Sequence, residues 1–105
     1  MTRLEQLQQF LKDDPSDPFN VYALALEYQK SNQEEAIRLF DELLINHSDY
    51  LPTYYTAGKL FASTGEVQKA TTIFEHGIAK AREQQQHKTV RELQSALNEL
   101  LFESE

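Results

Sequence analysis

Three histidines, His47, His76 and His87, are the side chains of this sequence best suited to proton transfer or metal ligation, and their spacing serves neither. A helical metal site needs two such ligands one turn apart on a single face, whereas these are separated by 29 and 11 residues. Each reads as a surface or helix-end residue. Glu34-Glu35 and Asp41-Glu42 bring carboxylates together as general acid-base chemistry would require. A solvated helix face near a helix start, where acids meet the positive end of the helix dipole, accounts for both pairs. Asp13, Asp14 and Asp17 match a calcium loop in density only, without its alternate spacing, central glycine and closing glutamate. Three glycines in the whole chain leave no loop to cradle phosphate. The absence of cysteine removes thiolate nucleophiles, thiolate metal sites and a disulfide frame. The residues point away from catalysis, with no metal and no cofactor expected, and toward binding.

Charge narrows the partners. The net charge of −7 is uneven: residues 1–50 carry ten acids and four bases, and residues 51–105 carry seven acids and six bases. An acidic chain without a basic face repels phosphates, so nucleic acid and anionic membrane surfaces are not expected as partners. No apolar run approaches the roughly 18 residues that would cross a bilayer, and the first residues lack the basic-then-apolar layout of a signal peptide. Together with the missing cysteines, these features suit a cytoplasmic protein.

The elements that would position any binding residue announce themselves by repetition. Ala36, Phe40 and Leu43 recur as Ala70, Phe74 and Gly77, at an offset of 34 residues. Ahead of each stretch lies a second matching pair, with Val21, Leu24-Ala25 and Tyr28 set against Tyr54, Ala57-Gly58 and Phe61 at an offset of 33. The register slips by one residue in the turn between, which is Lys30-Ser31-Asn32-Gln33 in the first unit and Thr64-Gly65-Glu66 in the second. Self-similarity at this period marks stacked helix-turn-helix units, each unable to bury its apolar face without a neighbour.

The residue types have a steric reason. Ala25, Gly58, Ala36 and Ala70 sit where two helices cross and let backbones approach, while Phe40, Phe74, Tyr28 and Phe61 fill the space beside them. A glycine inside a helix costs about 1 kcal/mol against alanine, so Gly58 and Gly77 in mid-helix point to packing rather than propensity. Before the repeats, Leu4, Leu7, Phe10 and Leu11 follow helical spacing behind Thr2-Arg3-Leu4-Glu5, a capping box. After them, Val90, Leu93, Leu97, Leu100 and Leu101 form another stripe. Asp17-Pro18 and Leu51-Pro52 open helices in the same manner, Asn32 with Glu35 repeats the capping box, and Gly65 suits a left-handed helix end. Lys80 to Lys88 contains neither Gly nor Pro, and a break is expected near Gln85 or His87.

In order, these residues resemble the tetratricopeptide repeat family: a large apolar residue, a Leu-like residue followed by a small one, an aromatic, a break, then Ala, an aromatic and a further small or apolar residue. Two departures stand out, since no Trp opens either unit and the first unit is one residue short. The resemblance implies an all-α fold, an antiparallel helix-turn-helix solenoid of about six helices. It would form a single domain at residues 1–105, with a leading half-unit helix at 1–17, repeat one at 18–50, repeat two at 51–84 and a capping helix at 85–105.

The resemblance also implies a function, that of a protein-interaction module holding a protein or peptide partner in a concave groove lined by the first helix of each unit. By position, the groove residues are Tyr22, Leu26 and Gln29 in the first unit and Tyr55, Lys59 and Ala62 in the second, with Phe19 and Pro52 at the helix starts. Phe19 reads as a packing residue. Tyrosine offers a large rigid surface with a polar tip, as recognition favours. Members that clamp a chaperone's terminal carboxylate place Lys and Asn on the first groove helix and Asn on the next. Tyr22, Leu26 and Thr56 stand there, which argues against such a clamp. Two alternatives remain: the terminal helices fold over part of the groove, or the chain forms a homodimer through a second apolar patch drawing on Tyr50, Phe61 and Phe102.

Overall fold

A computed structural model describes residues 1–104. Among these residues there are six α-helices and no strands: α1 (Arg3–Asp13), α2 (Pro18–Tyr28), α3 (Gln33–Asn46), α4 (Pro52–Ser63), α5 (Val67–Glu83) and α6 (His87–Glu103). The fold class is the all-α, antiparallel helix-turn-helix one.

The helix starts follow from local hydrogen bonding. Thr2 Oγ1 accepts from the Glu5 amide and the Glu5 carboxylate accepts from the Thr2 amide, both at 3.1 Å, a complete capping box that holds the Glu5 carboxyl below its ordinary pKa. The Asp17 carboxylate accepts from the Phe19 amide at 2.9 Å, with Pro18 in the first turn where its missing amide is no loss. At α3 the expected box is only half formed. Asn32 accepts from the Glu35 amide at 3.3 Å, but the Glu35 carboxylate turns to Arg38, whose Nε donates to it at 2.9 Å. The guanidinium outcompetes the backbone amide because its hydrogen bond is charge-assisted. Pro52 begins α4 without a side-chain cap, because Leu51 offers no acceptor, so the two proline starts differ.

Two helix ends share one geometry. After α4, the Glu66 amide donates to the Phe61 carbonyl at 3.0 Å and the Gly65 amide to Ala62 at 3.1 Å, with Gly65 at φ +84°. After α5, the Gln86 amide donates to Ala81 at 2.9 Å and the Gln85 amide to Arg82 at 3.0 Å, with Gln85 at φ +57°. Both are Schellman ends, and Gln85 occupies the left-handed place that glycine takes at no steric cost. Gln85→Gly should therefore raise stability by about 0.5–1 kcal/mol. Thermal unfolding followed by circular dichroism checks it, and an unchanged or lower midpoint would mean that Gln85 carries no strain.

The chain divides into two units, one of residues 1–50 and one beginning at Leu51. In the first, α2 packs against both α1 and α3. Ala25 on α2 and Ala36 on α3 are fully buried, as are Phe40 and Leu43, while Val21, Leu24 and Leu39 fill in around them. Of the α1 stripe only Leu7 is buried, and Phe10 remains 52% exposed. Tyr28 is half-buried rather than a core knob, because its hydroxyl reaches the surface and accepts from Gln8 Nε2 at 3.0 Å.

In the second unit α5 packs against α4 and α6, and α6 also meets α4. The mid-helix glycines sit where side chains leave no room. A Cβ on Gly58 would lie 2.7 Å from Cδ1 of the buried Phe74 ring, and one on Gly77 would lie 2.7 Å from Tyr54 Cγ and 2.9 Å from Leu93 Cδ1. Phe61 is 1% exposed with the Lys69 ammonium 4.1 Å from its ring centre, so it is core and contributes nothing to a surface patch.

Candidate functional site

The expected binding residues lie on the first helix of each unit except Gln29, which caps the C-terminal end of α2. In the first unit Tyr22 is half-buried and meets two rings edge-on, Phe40 with centroids 6.4 Å apart and Tyr50 at 5.7 Å. These contacts aim the ring and lock its rotamer. One turn on, Leu26 is exposed, and Gln29 beyond it is half-buried. Phe19, expected to pack, is instead 59% exposed. It is the second residue of α2, where the Asp17 cap fixes the backbone and no helix covers the side chain.

Phe19, Tyr22 and Leu26 line one cleft of about 390 Å³, with Glu27 and Lys30 along its α2 edge and Arg3 contributed by α1. Lys30 Nζ is 3.1 Å from the Glu27 carboxylate. Arg3 was not legible as a site residue, because only the packing of α1 on α2 brings it there.

In the second unit Tyr55 is 44% exposed on α4 although its neighbour Tyr54 is buried. It lines two clefts that α6 helps to wall. One holds Arg91, Glu92, Ser95 and Glu99, and the other is closed by Leu51, Pro52, Thr89 and Leu93. Lys59 is exposed and Ala62 half-buried, and neither borders these clefts. The missed residues are those of α6, a segment that reads from the sequence as a cap. The signal was present: Arg91, Ser95 and Glu99 recur every four residues and share a helix face.

Burial foremost, then the neighbouring Tyr22 and Asp17, pushes the Tyr50 phenol above its ordinary 10.0. A group with a raised folded pKa contributes stability that is present below its unfolded pKa and lost as pH rises through the folded value. Urea midpoints should therefore fall as pH rises past the ordinary phenol value of 10.0, and Tyr50→Phe should flatten part of that fall. An identical alkaline slope in the variant would show that the phenol is not held by burial. His47 is half-buried, while His76 and His87 are exposed. The described residues contain no group of three or more side chains able to hold a metal and no helix long and apolar enough to cross a membrane.

No family model matches the chain, and no curated protein does. Solved structures do match. A tetratricopeptide repeat domain protein from Salinibacter ruber, determined in solution, is 41% identical with a TM-score of 0.79, over 83% of this chain and 89% of that one. A crystal structure of such a protein from the same organism is 40% identical with a TM-score of 0.76, over 80% and 96%. A protein from Bordetella parapertussis, 23% identical, shares the fold with a TM-score of 0.81 over 98% and 90%. The order of residues in each repeat, the paired helices around Gly58 and Gly77 and the two Salinibacter ruber relatives together place the chain in the tetratricopeptide repeat family, whose fold serves in general as a non-catalytic protein-interaction module.

Proposed function

We propose that this protein is an adaptor that receives a peptide or protein segment on the first helices of its repeats, through Tyr22 and Leu26 on α2, Gln29 at the C-terminal end of α2, and Tyr55, Lys59 and Ala62 on α4. The observation that supports it is one large exposed side chain on the first helix of each repeat, Leu26 on α2 and Tyr55 on α4, each bordering a cleft, with half-buried Tyr22 at the position that matches Tyr55. Burial of such residues on binding supplies the driving force, at about 25 cal/mol per Å² of apolar surface. The parts act as one domain in the cytoplasm, with residues 1–17 as a leading half-unit, 18–50 and 51–84 as the two repeats and 85–105 as the closing helix.

Affinity capture from a lysate of the source cell, run in parallel with the intact protein and a Tyr55→Ala, Lys59→Ala variant of equal melting temperature, tests the reading. A protein retained by the first and lost from the second supports recognition on α4. Equal capture by both removes α4 from the site. A second reading, a homodimer through an exposed helix face, is favoured by Leu101 and Phe102, which are 44% and 77% exposed on α6. A mass that stays monomeric at high micromolar concentration would eliminate it.

A further inference from the structure

We infer that the cleft along α1 and α2 takes an extended peptide segment in which large apolar side chains alternate with carboxylates, the apolar groups seated on Phe19 and Leu26 and a carboxylate on Arg3. This rests on the reading that the first helices receive a peptide, and it adds the chemistry of the peptide and a contact from α1.

The argument is one of local charge against global charge. Residues 1–50 hold ten acids and four bases, yet two of those four bases, Arg3 and Lys30, stand on this one cleft against a single acid, Glu27. Of the other two, Arg38 is engaged on α3 by Glu35 and Glu42, and Lys12 lies at the far end of α1. Lys30 is tied to Glu27 at 3.1 Å, whereas Arg3 has no carboxylate within ion-pair distance among the described residues. The cleft therefore carries an uncompensated guanidinium beside exposed Phe19 and Leu26.

A purely apolar segment would strip water from Arg3 and return nothing for it. A basic segment would be drawn by the net charge of −7 at long range but would meet Arg3 and Lys30 at contact. A segment carrying a carboxylate next to a Leu or Phe satisfies both surfaces, and a guanidinium can hold a carboxylate through two parallel hydrogen bonds. At about 150 mM salt the screening length is near 8 Å, so the long-range attraction fades and the contact preference decides.

The test titrates two amide-capped decapeptides into the isotope-labelled full chain at about 150 mM salt, one alternating Asp with Leu and Phe, the other Lys with Leu and Phe. The acidic peptide should shift the backbone resonances of Arg3 and of residues 19–30 and bind at least about tenfold more tightly than the basic one. Arg3→Glu should weaken it about fivefold or more at an unchanged melting temperature, since Arg3 is exposed. Glu27→Gln should act in the opposite sense and tighten binding, because it releases Lys30, a sign that a merely structural role would not produce. Equal or tighter binding of the basic peptide overturns the inference. Shifts confined to α4 and α6 also overturn it while leaving the adaptor reading intact. No shift on any helix removes the peptide chemistry, and the capture experiment then decides the adaptor reading separately.

Discussion

Phe74→Ala should destabilise the protein by about 3–5 kcal/mol, the range for deleting a fully buried aromatic ring. Phe74 is completely inaccessible to solvent, and its ring lies where a Cβ on Gly58 would be, so α4 approaches α5 across that ring. Without it, Gly58 offers no side chain to fill the space, and helices pinned at Gly77 by Tyr54 and Leu93 cannot close the gap. Because total stabilities lie near 5–15 kcal/mol, most of the margin would be lost. Phe40→Ala, also fully buried, should behave alike in the first unit. Phe102→Ala, at a side chain 77% exposed, should change stability by under about 0.5 kcal/mol. Urea unfolding of the three variants, followed by circular dichroism, makes the comparison. A loss below about 1.5 kcal/mol for Phe74→Ala would mean that the ring is not packed as described.

Gly77→Ala should cost about 2 kcal/mol even though alanine is the better helix former by about 1 kcal/mol. The new methyl would meet Tyr54 at its Cγ, 2.7 Å away, and Leu93 Cδ1 at 2.9 Å. An atom so near the α4 backbone cannot rotate aside, so the strain must be relieved by moving α4 off α5. Ala79→Gly on the exposed face of the same helix should also destabilise, by about 1 kcal/mol, from propensity alone. Opposite preferences for the same two residue types, two positions apart, separate packing from propensity. If Gly77→Ala stabilises, the close approach is not there.

Both results bear on why the repeats were readable. Ala25, Ala36 and Ala70 are small and fully buried and Gly58 gives its place to the Phe74 ring, while the aromatics are large because the remaining space must be filled at near-crystalline density. That requirement recurs with each unit and writes itself as a period. Capping is also local, since Thr2 with Glu5, and Asp17 before Pro18, satisfy amides within three residues. The half-formed box at Asn32 shows the limit of local reading. Glu35 has two partners at comparable distance along the chain, and the charged one prevails.

The family, the six helices and the small and large positions of the core were thus written in the order of residue types, because each depends on neighbours within a turn or on its repeat mate. The break near Gln85 or His87 is expected from the sequence, but not that Gln85 itself takes the left-handed place, since nothing in glutamine asks for that backbone where α6 turns back to pack against α5 and α4. The same holds for the binding surface. Whether Phe19 is covered, whether Arg3 meets Leu26, and whether α6 merely closes the second unit or forms a wall beside Tyr55 depend on how separate helices are set against one another. Side chains from different helices share a cleft only after packing, and no spacing along the chain encodes that distance.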